Sequence, residues 1–377
     1  MEQSYGFIRE IQRKAKDYLF SGLRVSLCKW LIILILAFLV LDLELSNTLE
    51  SLVRSFSSEP SFIVALYTLF GYGIFWFVSL PFDYYRGYVL EHRFELSTEN
   101  VSGWFRSKIK ASVLSLLLIL LLVEGIYNFM WLNPTYWWMF LWVATAFAAA
   151  FLLYISPVLI MPLFFKFPKL EDKELLNRLT KLANKAGIKI IGVFEMKAEV
   201  KTKKAIAALT GIGNTRRMLL SDTFLSNYTN DEIESVMGHE IGHHIFGHIW
   251  KSTIMLSAAL LLILFISHLT LQNISLFFNV HMDSVASLPL FALTFGLLFM
   301  AFIPVMNTLS RRAEGNCDQY ELELVGKPEA YISSMIKLCD QNLRYACPSP
   351  LIEFLLYDHP SGKNRVERAL AYKRRVQ

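Results

Sequence analysis

Charge is in short supply in this chain. Aspartate, glutamate, lysine and arginine make up 18% of its 377 residues and hydrophobic residues 54%, whereas a soluble domain carries roughly 25% charged residues. That balance excludes an ordinary water-soluble globule. Cysteine is rarer still. Cys28, Cys317, Cys339 and Cys347 show no paired spacing such as CxxC, so reduced structural thiols are the expectation. The chain also lacks an internal repeat and a low-complexity linker. No short apolar segment followed by a small-residue cleavage site opens it, so no removable signal peptide is expected. It opens instead on a charged amphipathic lead-in, with Phe7, Ile8 and Ile11 set against Arg9, Arg13, Lys14 and Lys16.

Long apolar runs are what the chain does have. Six reach or approach the ~20 residues a helix needs to cross a bilayer, at residues 27–45, 61–82, 111–131, 136–165, 252–271 and 284–309. Pro157 and Pro162 should end or kink the fourth. Gly71 and Gly73 in the second would let another helix come close, and Glu124 in the third should face the bundle interior or an interface rather than lipid. Basic residues then orient the bundle. The first 29 residues hold six, residues 83–110 five, residues 166–251 fourteen and the segment from Arg311 onward eleven, while the three intervening loops hold only Arg54. This alternation is the positive-inside pattern for six spans with both ends cytoplasmic. The net charge of +5 is thereby explained as topology, with the bilayer as partner and no nucleic acid, because the basic residues form no single patch.

The organisation expected is a membrane half over residues 1–165, a soluble piece at 166–251, two further spans at 252–309 and a second soluble piece at 310–377. The short outside loop at 272–283 keeps both pieces on one face, where they can fold as one domain of about 150 residues. The first piece reads as a helix over 171–186 with Gly187 as its cap and a strand at 188–195. A hairpin of 205–209 with 217–220 follows, and then a capping box from Thr229 to Glu232 that opens a helix leading into the fifth span.

That helix carries "VMGHEIGHH". His239 and His243 stand one turn apart on one face, so both imidazoles can reach one ion. Glu240 lies about 100° around, near enough to handle a water on that ion without taking a ligand position. Zinc lowers the pKa of a bound water to ~7, and a neighbouring carboxylate can take the proton during attack on a peptide carbonyl. His244 and His248 fall on another face and read as exposed or packing histidines. The three-histidine pattern HExxHxxGxxH is excluded, since Phe246 and Ile249 occupy its glycine and histidine positions. The third ligand must come from elsewhere, most simply a glutamate on another helix. In "SRRAEGNCDQYELELVG", Glu314 and Asp318 share a helical face; one carboxylate can bind the metal while the other accepts a ligand histidine's second N–H. Glu321 and Glu323 remain rivals on spacing, and Cys317 is given no role.

"HEIGHH" with "NTLSRRAEGNCD" resembles the integral-membrane zinc metallopeptidases of the CAAX prenyl protease type 1 family. So do "TGIGNTRRMLLSDTFL" from Thr210, "DHPSGKNRVERA" from Asp358 and "EHRFELST" from Glu91. The resemblance covers most of the chain from about Phe77 onward. It implies an α-helical integral membrane protein of about six transmembrane helices, with a small α+β zincin-like catalytic domain on the cytoplasmic face. The implied activity is a zinc-dependent endopeptidase acting on membrane-associated or lipidated proteins, prenylated or membrane-embedded. His239, His243 and Glu314 are implied as ligands of one Zn2+ per chain, Glu240 as general base and acid, and Asp318 as the carboxylate behind a ligand histidine. His359 and Arg365 are implied to line the site; His359 can contact the oxyanion, where a donor is worth ~3 kcal/mol, and Arg365 can brace the carboxylates. The substrate would lie extended against an edge formed by Arg217, Met218, Leu219 and Leu220, held through its backbone. The compact six-span layout, without internal-organelle signals, leads to the plasma membrane of a prokaryote as the expected location, or the endoplasmic reticulum membrane in a eukaryote.

Two departures stand out. Ile206 occupies the position of the family's usual asparagine, whose hydrogen bond near the substrate it cannot make, and Ser361 replaces a proline. The competing class is a membrane scaffold or transporter-like protein with a structural or vestigial zinc site. Ile206 is its best support, but the spans hold too few ionisable groups for a polar translocation path.

Overall fold

The computed structural model describes residues 5–376. Six of its helices are long and apolar enough to cross a membrane: α1 (Arg9–Asp42), α2 (Pro60–Tyr84), α3 (Val101–Leu132), α4 (Trp137–Ile155), α7 (His248–Ile274) and α8 (Leu288–Val325). Several overrun their apolar stretches, because extending an existing helix costs far less than nucleating a new one. The amphipathic lead-in is thus the first part of α1. Likewise α8 continues for 38 residues, so the segment bearing Glu314 and Asp318 prolongs the sixth span. α4 gives way to a π turn (Ser156–Ile160) and a 3-10 turn (Met161–Leu163), where Pro157 and Pro162 lack backbone donors. Glu124 is half-buried and accepts a hydrogen bond from Asn128 (3.1 Å). Gly71 and Gly73 depart from expectation: a methyl group at either would meet nothing within 4 Å, so no helix uses them for close approach.

Apart from a helix at Leu45–Arg54 and 3-10 turns at Ser275–Phe278 and Val285–Ser287, which meet at the other end, the main remaining elements gather at one end of the bundle. They are α5 (Lys173–Lys185), β1 (Val193–Met196), β2 (Ala207–Thr210), β3 (Arg217–Ser221), α6 (Asn230–Ile245), α9 (Pro328–Gln341), α10 (Pro350–Leu356) and α11 (Gly362–Val376). One buried core joins Leu179, Met218 and Met237 to Leu322, Tyr331 and Val366, so the two stretches separated by α7 and the apolar part of α8 pack as a unit. Every span presents an end to it. Gln12 of α1 donates to Asp340 (2.8 Å), Glu91 just past α2 pairs with Lys204 (2.9 Å), and Ser107 of α3 accepts from Lys201 (2.9 Å). Lys166 beyond α4 accepts from the Lys197 amide (3.1 Å), α7 follows α6, and α8 runs into the core.

The three-stranded sheet has the order β1-β3-β2, with β1 parallel and β2 antiparallel to β3. This corrects the expectation for Arg217, Met218, Leu219 and Leu220. They form the central strand, not an edge: Met218 is in register with Val193 on one side and Leu209 on the other. A central strand has already paired its backbone on both sides, and an extended peptide can add only to an unpaired edge. Among the described residues the edge beside the HExxH helix is β2 with the segment leading into it. The hairpin was readable from turn chemistry, but the position of β1 across the sheet is a long-range pairing that local sequence does not encode.

Candidate active site

α6 begins with the anticipated reciprocal cap, the Glu232 carboxylate accepting from the Thr229 amide (2.8 Å) and the Thr229 hydroxyl from the Glu232 amide (3.4 Å). It then packs on α8 at unusually short range. A methyl group at Gly242 would lie 3.2 Å from the Cys317 Cα, and one at Gly238 only 2.7 Å from the Val325 side chain. The motif's two glycines therefore buy closeness at some expense in helix propensity, ~1 kcal/mol each, and let imidazoles on α6 meet a carboxylate on α8.

His239 Nε2 and His243 Nε2 lie 3.3 Å apart. Glu314 completes a triangle, with Oε2 3.0 Å from His239 Nε2 and Oε1 3.2 Å from His243 Nε2. Tetrahedral zinc with bonds of ~2.0–2.1 Å has ligand–ligand edges of about 3.3 Å, which these separations match. Glu314 is buried, and its Oε2 has no hydrogen-bond donor among the described residues. An orphaned carboxylate oxygen facing two imidazole nitrogens is the kind of buried group a cation satisfies, so the residues present fit a divalent metal. The rival carboxylates lie elsewhere. Glu321 accepts from Ser235 (2.5 Å), and Glu323 is exposed beside Gln319.

Asp318, fully buried, sits behind His239, its Oδ1 3.0 Å from Nδ1. With Nε2 turned toward Glu314, Nδ1 carries the proton and donates to Asp318, which fixes the ring's tautomer and direction. The buried Arg365 donates to the same carboxylate through Nε (3.1 Å) and NH2 (2.5 Å), and Arg368 donates to its other oxygen (3.0 Å). Arg365 Nε also donates to the Tyr331 hydroxyl (3.2 Å). Burial, and then the Arg365 charge, disfavour a proton on His239, yet Asp318 and Glu314 outweigh both and push its pKa up to about 9. Surroundings that favour an imidazolium so strongly also favour a metal cation.

On the open side lies a cleft of ≈ 240 Å³, whose lining includes Ile206, Ala207, Glu240, His359 and Arg365. Glu240 faces this cleft and has no hydrogen-bond or ion-pair partner among the described residues. His359 Nε2 is 3.3 Å from Glu314 Oε1, and its Nδ1 lies 2.8 Å from Asp358 Oδ1. That contact, working against burial and helped by Arg344, pushes Asp358 down to about 2. Ile206 is part-exposed at the cleft, and the Asn342 amide brackets its neighbour Ala205, accepting from the amide (2.8 Å) and donating to the carbonyl (3.1 Å).

Four residues near the centre escaped sequence reasoning. Tyr331 and Arg368 carry no motif spacing that would single them out. His248 falls on another face only if one helix continues through into the span. α6 in fact ends at Ile245, and Gly247 at φ +64° redirects the chain, a conformation glycine adopts without steric cost. His248 thereby turns back, buried, with Nδ1 3.2 Å from His243 Nδ1, and Cys317 Sγ lies 3.4 Å from the same nitrogen. His243 has Nε2 on the donor triangle, so its Nδ1–H points at His248 as the Nδ1–H of His239 does at Asp318. His244 is likewise more than a bystander, its Nε2 donating to the Leu209 carbonyl (2.9 Å) and tying α6 to β2. His248→Ala is expected to weaken metal binding about tenfold or more, measured by competition with a chromophoric chelator; His248→Asn, which restores an acceptor, should recover most of it.

Comparison with known proteins bears on this arrangement. The sequence profile of Peptidase family M48 matches residues 169–373, over half the chain, and that of the CAAX prenyl protease N-terminal region, with five membrane helices, matches residues 7–166. The chain belongs to peptidase family M48. Four of the six candidate spans fall within the N-terminal match. An uncharacterized metalloprotease, YhfN, of Bacillus subtilis is 32% identical over 300 residues, covering 78% of this chain and 70% of that protein. CAAX prenyl protease 1 of Saccharomyces cerevisiae is 30% identical over 316 residues, covering 77% and 68%. The crystal structure of S. mikatae Ste24p has the same fold, with a TM-score of 0.83 over 96% of this chain and 89% of that one at 23% identity. This M48 protein is a multi-pass membrane metalloendopeptidase, and the scaffold or transporter alternative is not favoured.

Proposed function

We propose that this M48 protein uses a single zinc ion held by His239, His243 and Glu314 to cleave membrane-borne or lipidated protein substrates from the cytoplasmic face. One observation carries the reading: the three donors form a triangle of zinc dimensions beside a cleft that Glu240 lines. Bound zinc supplies Lewis acidity, polarising a carbonyl and acidifying water. The protein's own groups do the rest. Glu240, one residue from a ligand and facing the cleft, takes the proton of the attacking water and returns it to the leaving amine. His359, beside Glu314 at the cleft, offers a donor to the developing oxyanion. Arg365 is committed to Asp318 and Tyr331, so it braces His239 rather than touching substrate. An extended peptide adds along the β2 edge, where Ala207 and Ile206 line the cleft, and Asn342 closes that edge at Ala205.

The spans hold this cleft at the bilayer surface, where a substrate attached to lipid arrives, in keeping with the prenyl proteases among the relatives. Both chain ends and the catalytic half are assigned to the cytoplasm by the distribution of lysine and arginine. The test is direct. Protein purified in detergent should contain about one zinc per chain and cleave casein or a farnesylated CAAX peptide. A chelator should abolish cleavage, and added zinc should restore it. Zinc near one per chain with neither substrate cleaved would overturn the catalytic reading. Ile206→Asn should raise kcat/KM by up to about tenfold, the worth of one recovered hydrogen bond; an unchanged value would mean the edge holds substrate by backbone alone.

A further inference from the structure

α10 is an apolar helix outside any core. Leu351, Phe354, Leu355 and Leu356 are all exposed, Leu351 to 65%. Its carbonyl end is nevertheless firmly held. Arg311 donates to the carbonyls of Glu353 (2.9 Å) and Tyr357 (2.6 Å), and Asn307 donates to that of Leu355 (2.9 Å). Asn307 and Arg311 flank the point where the apolar run of α8 ends at Leu309. α10 is thereby pinned at the membrane boundary with its apolar side chains outward, the disposition of an interfacial helix.

A basic recess of ≈ 950 Å³ adjoins it, with Arg311, Arg312, Arg368, Arg375, Glu353 and Asn364 in its wall. α11 runs back along α8 to build it. Arg365 and Arg368 reach the level of Asp318 and Gly315, and Arg375, two turns beyond Arg368, lines the recess together with Thr308 and Arg311. The charges here are unequally spent. Arg311 caps α10, Arg368 holds Asp318, and the one acid, Glu353, already accepts from the Ser361 amide (2.8 Å) and from Asn364 (3.0 Å). Arg312 and Arg375 are exposed, and neither has a carboxylate within ion-pair distance among the described residues. Two free guanidinium groups converging on one space are phosphate-binding chemistry.

We propose that this recess binds the phosphate of an anionic phospholipid, with the acyl chains lying along Leu351, Phe354 and Leu355 of α10. The neighbouring apolar helix and the height of the recess, just past the end of α8's apolar run, favour a lipid over a soluble anion, since only a lipid uses both surfaces. The recess and the catalytic cleft share Pro360, so a lipid bound here steadies the rim of the cleft at the bilayer surface.

The test compares the full-length protein with a variant carrying Arg312→Gln and Arg375→Gln, neither of which touches the metal site. Each is reconstituted in nanodiscs of phosphatidylcholine containing phosphatidylglycerol, re-extracted into neutral detergent, and its retained lipid quantified by mass spectrometry. The wild-type protein should retain phosphatidylglycerol well above its bulk fraction, and the double variant about tenfold less, as expected for two arginines at an anionic surface, with metal content and peptide cleavage in detergent unchanged. Leu351→Ser with Phe354→Ser should also lower retention. Equal enrichment in wild type and the arginine variant would overturn the proposal. So would displacement of the phospholipid by millimolar inorganic phosphate, which would make the ligand a soluble anion.

Discussion

Glu240→Gln is expected to lower kcat by about 10²–10⁴-fold while leaving metal content and KM nearly unchanged. Glutamine has the same shape, so neither α6 nor the cleft should move, and the donor triangle of His239, His243 and Glu314 does not include position 240. What disappears is a carboxylate able to hold a proton between attack and departure of the amine, a role worth about that range of rate. Each factor of ten corresponds to ~1.4 kcal/mol of barrier. The readouts separate the cases. A loss of bound metal would mean that Glu240 supports the ligands, and a wild-type rate would place the proton transfer on another group. Equal falls in kcat and kcat/KM with full metal occupancy are the signature of an interaction made only in the transition state.

Much of this architecture is readable from local pattern. Apolar length marks the six spans, and the placement of lysine and arginine suggests their alternation. The spacing of His239, Glu240 and His243 works because α6 is a regular helix across exactly those residues, and Glu314 with Asp318 because α8 continues unbroken past its apolar run. The misreadings share a cause as well. Projecting a helical face onto His248 assumes that the helix continues, and a left-handed Gly247 ends it. Treating Arg217–Leu220 as an edge assumes that no other strand reaches it, and β1 pairs there from 20 residues upstream or more. Tyr331 and Arg368 enter the site only because α9 and α11 fold back onto α8. Local periodicity carries contacts within a helix; it carries none of these.

Asp318→Asn should damage both stability and metal binding, and the two effects can be pulled apart. The carboxylate is fully buried and receives His239 Nδ1, Arg365 and Arg368 together. Asparagine keeps the volume but removes the charge, leaving Arg365 buried against a neutral amide. Breaking one side of a buried ion pair typically costs about 3–5 kcal/mol, which should appear as a lower midpoint in thermal unfolding. The same change gives His239 a weaker acceptor, and losing such a partner costs about 10–100-fold in metal affinity. Adding Arg365→Gln removes the stranded charge, so the double variant should recover a substantial part of the stability. Metal affinity should stay low in the double variant, because nothing has restored the carboxylate behind His239. If both properties recovered together, Asp318 would act on the metal only through general stability; if neither did, the cost would lie with Arg368, the other guanidinium on that carboxylate.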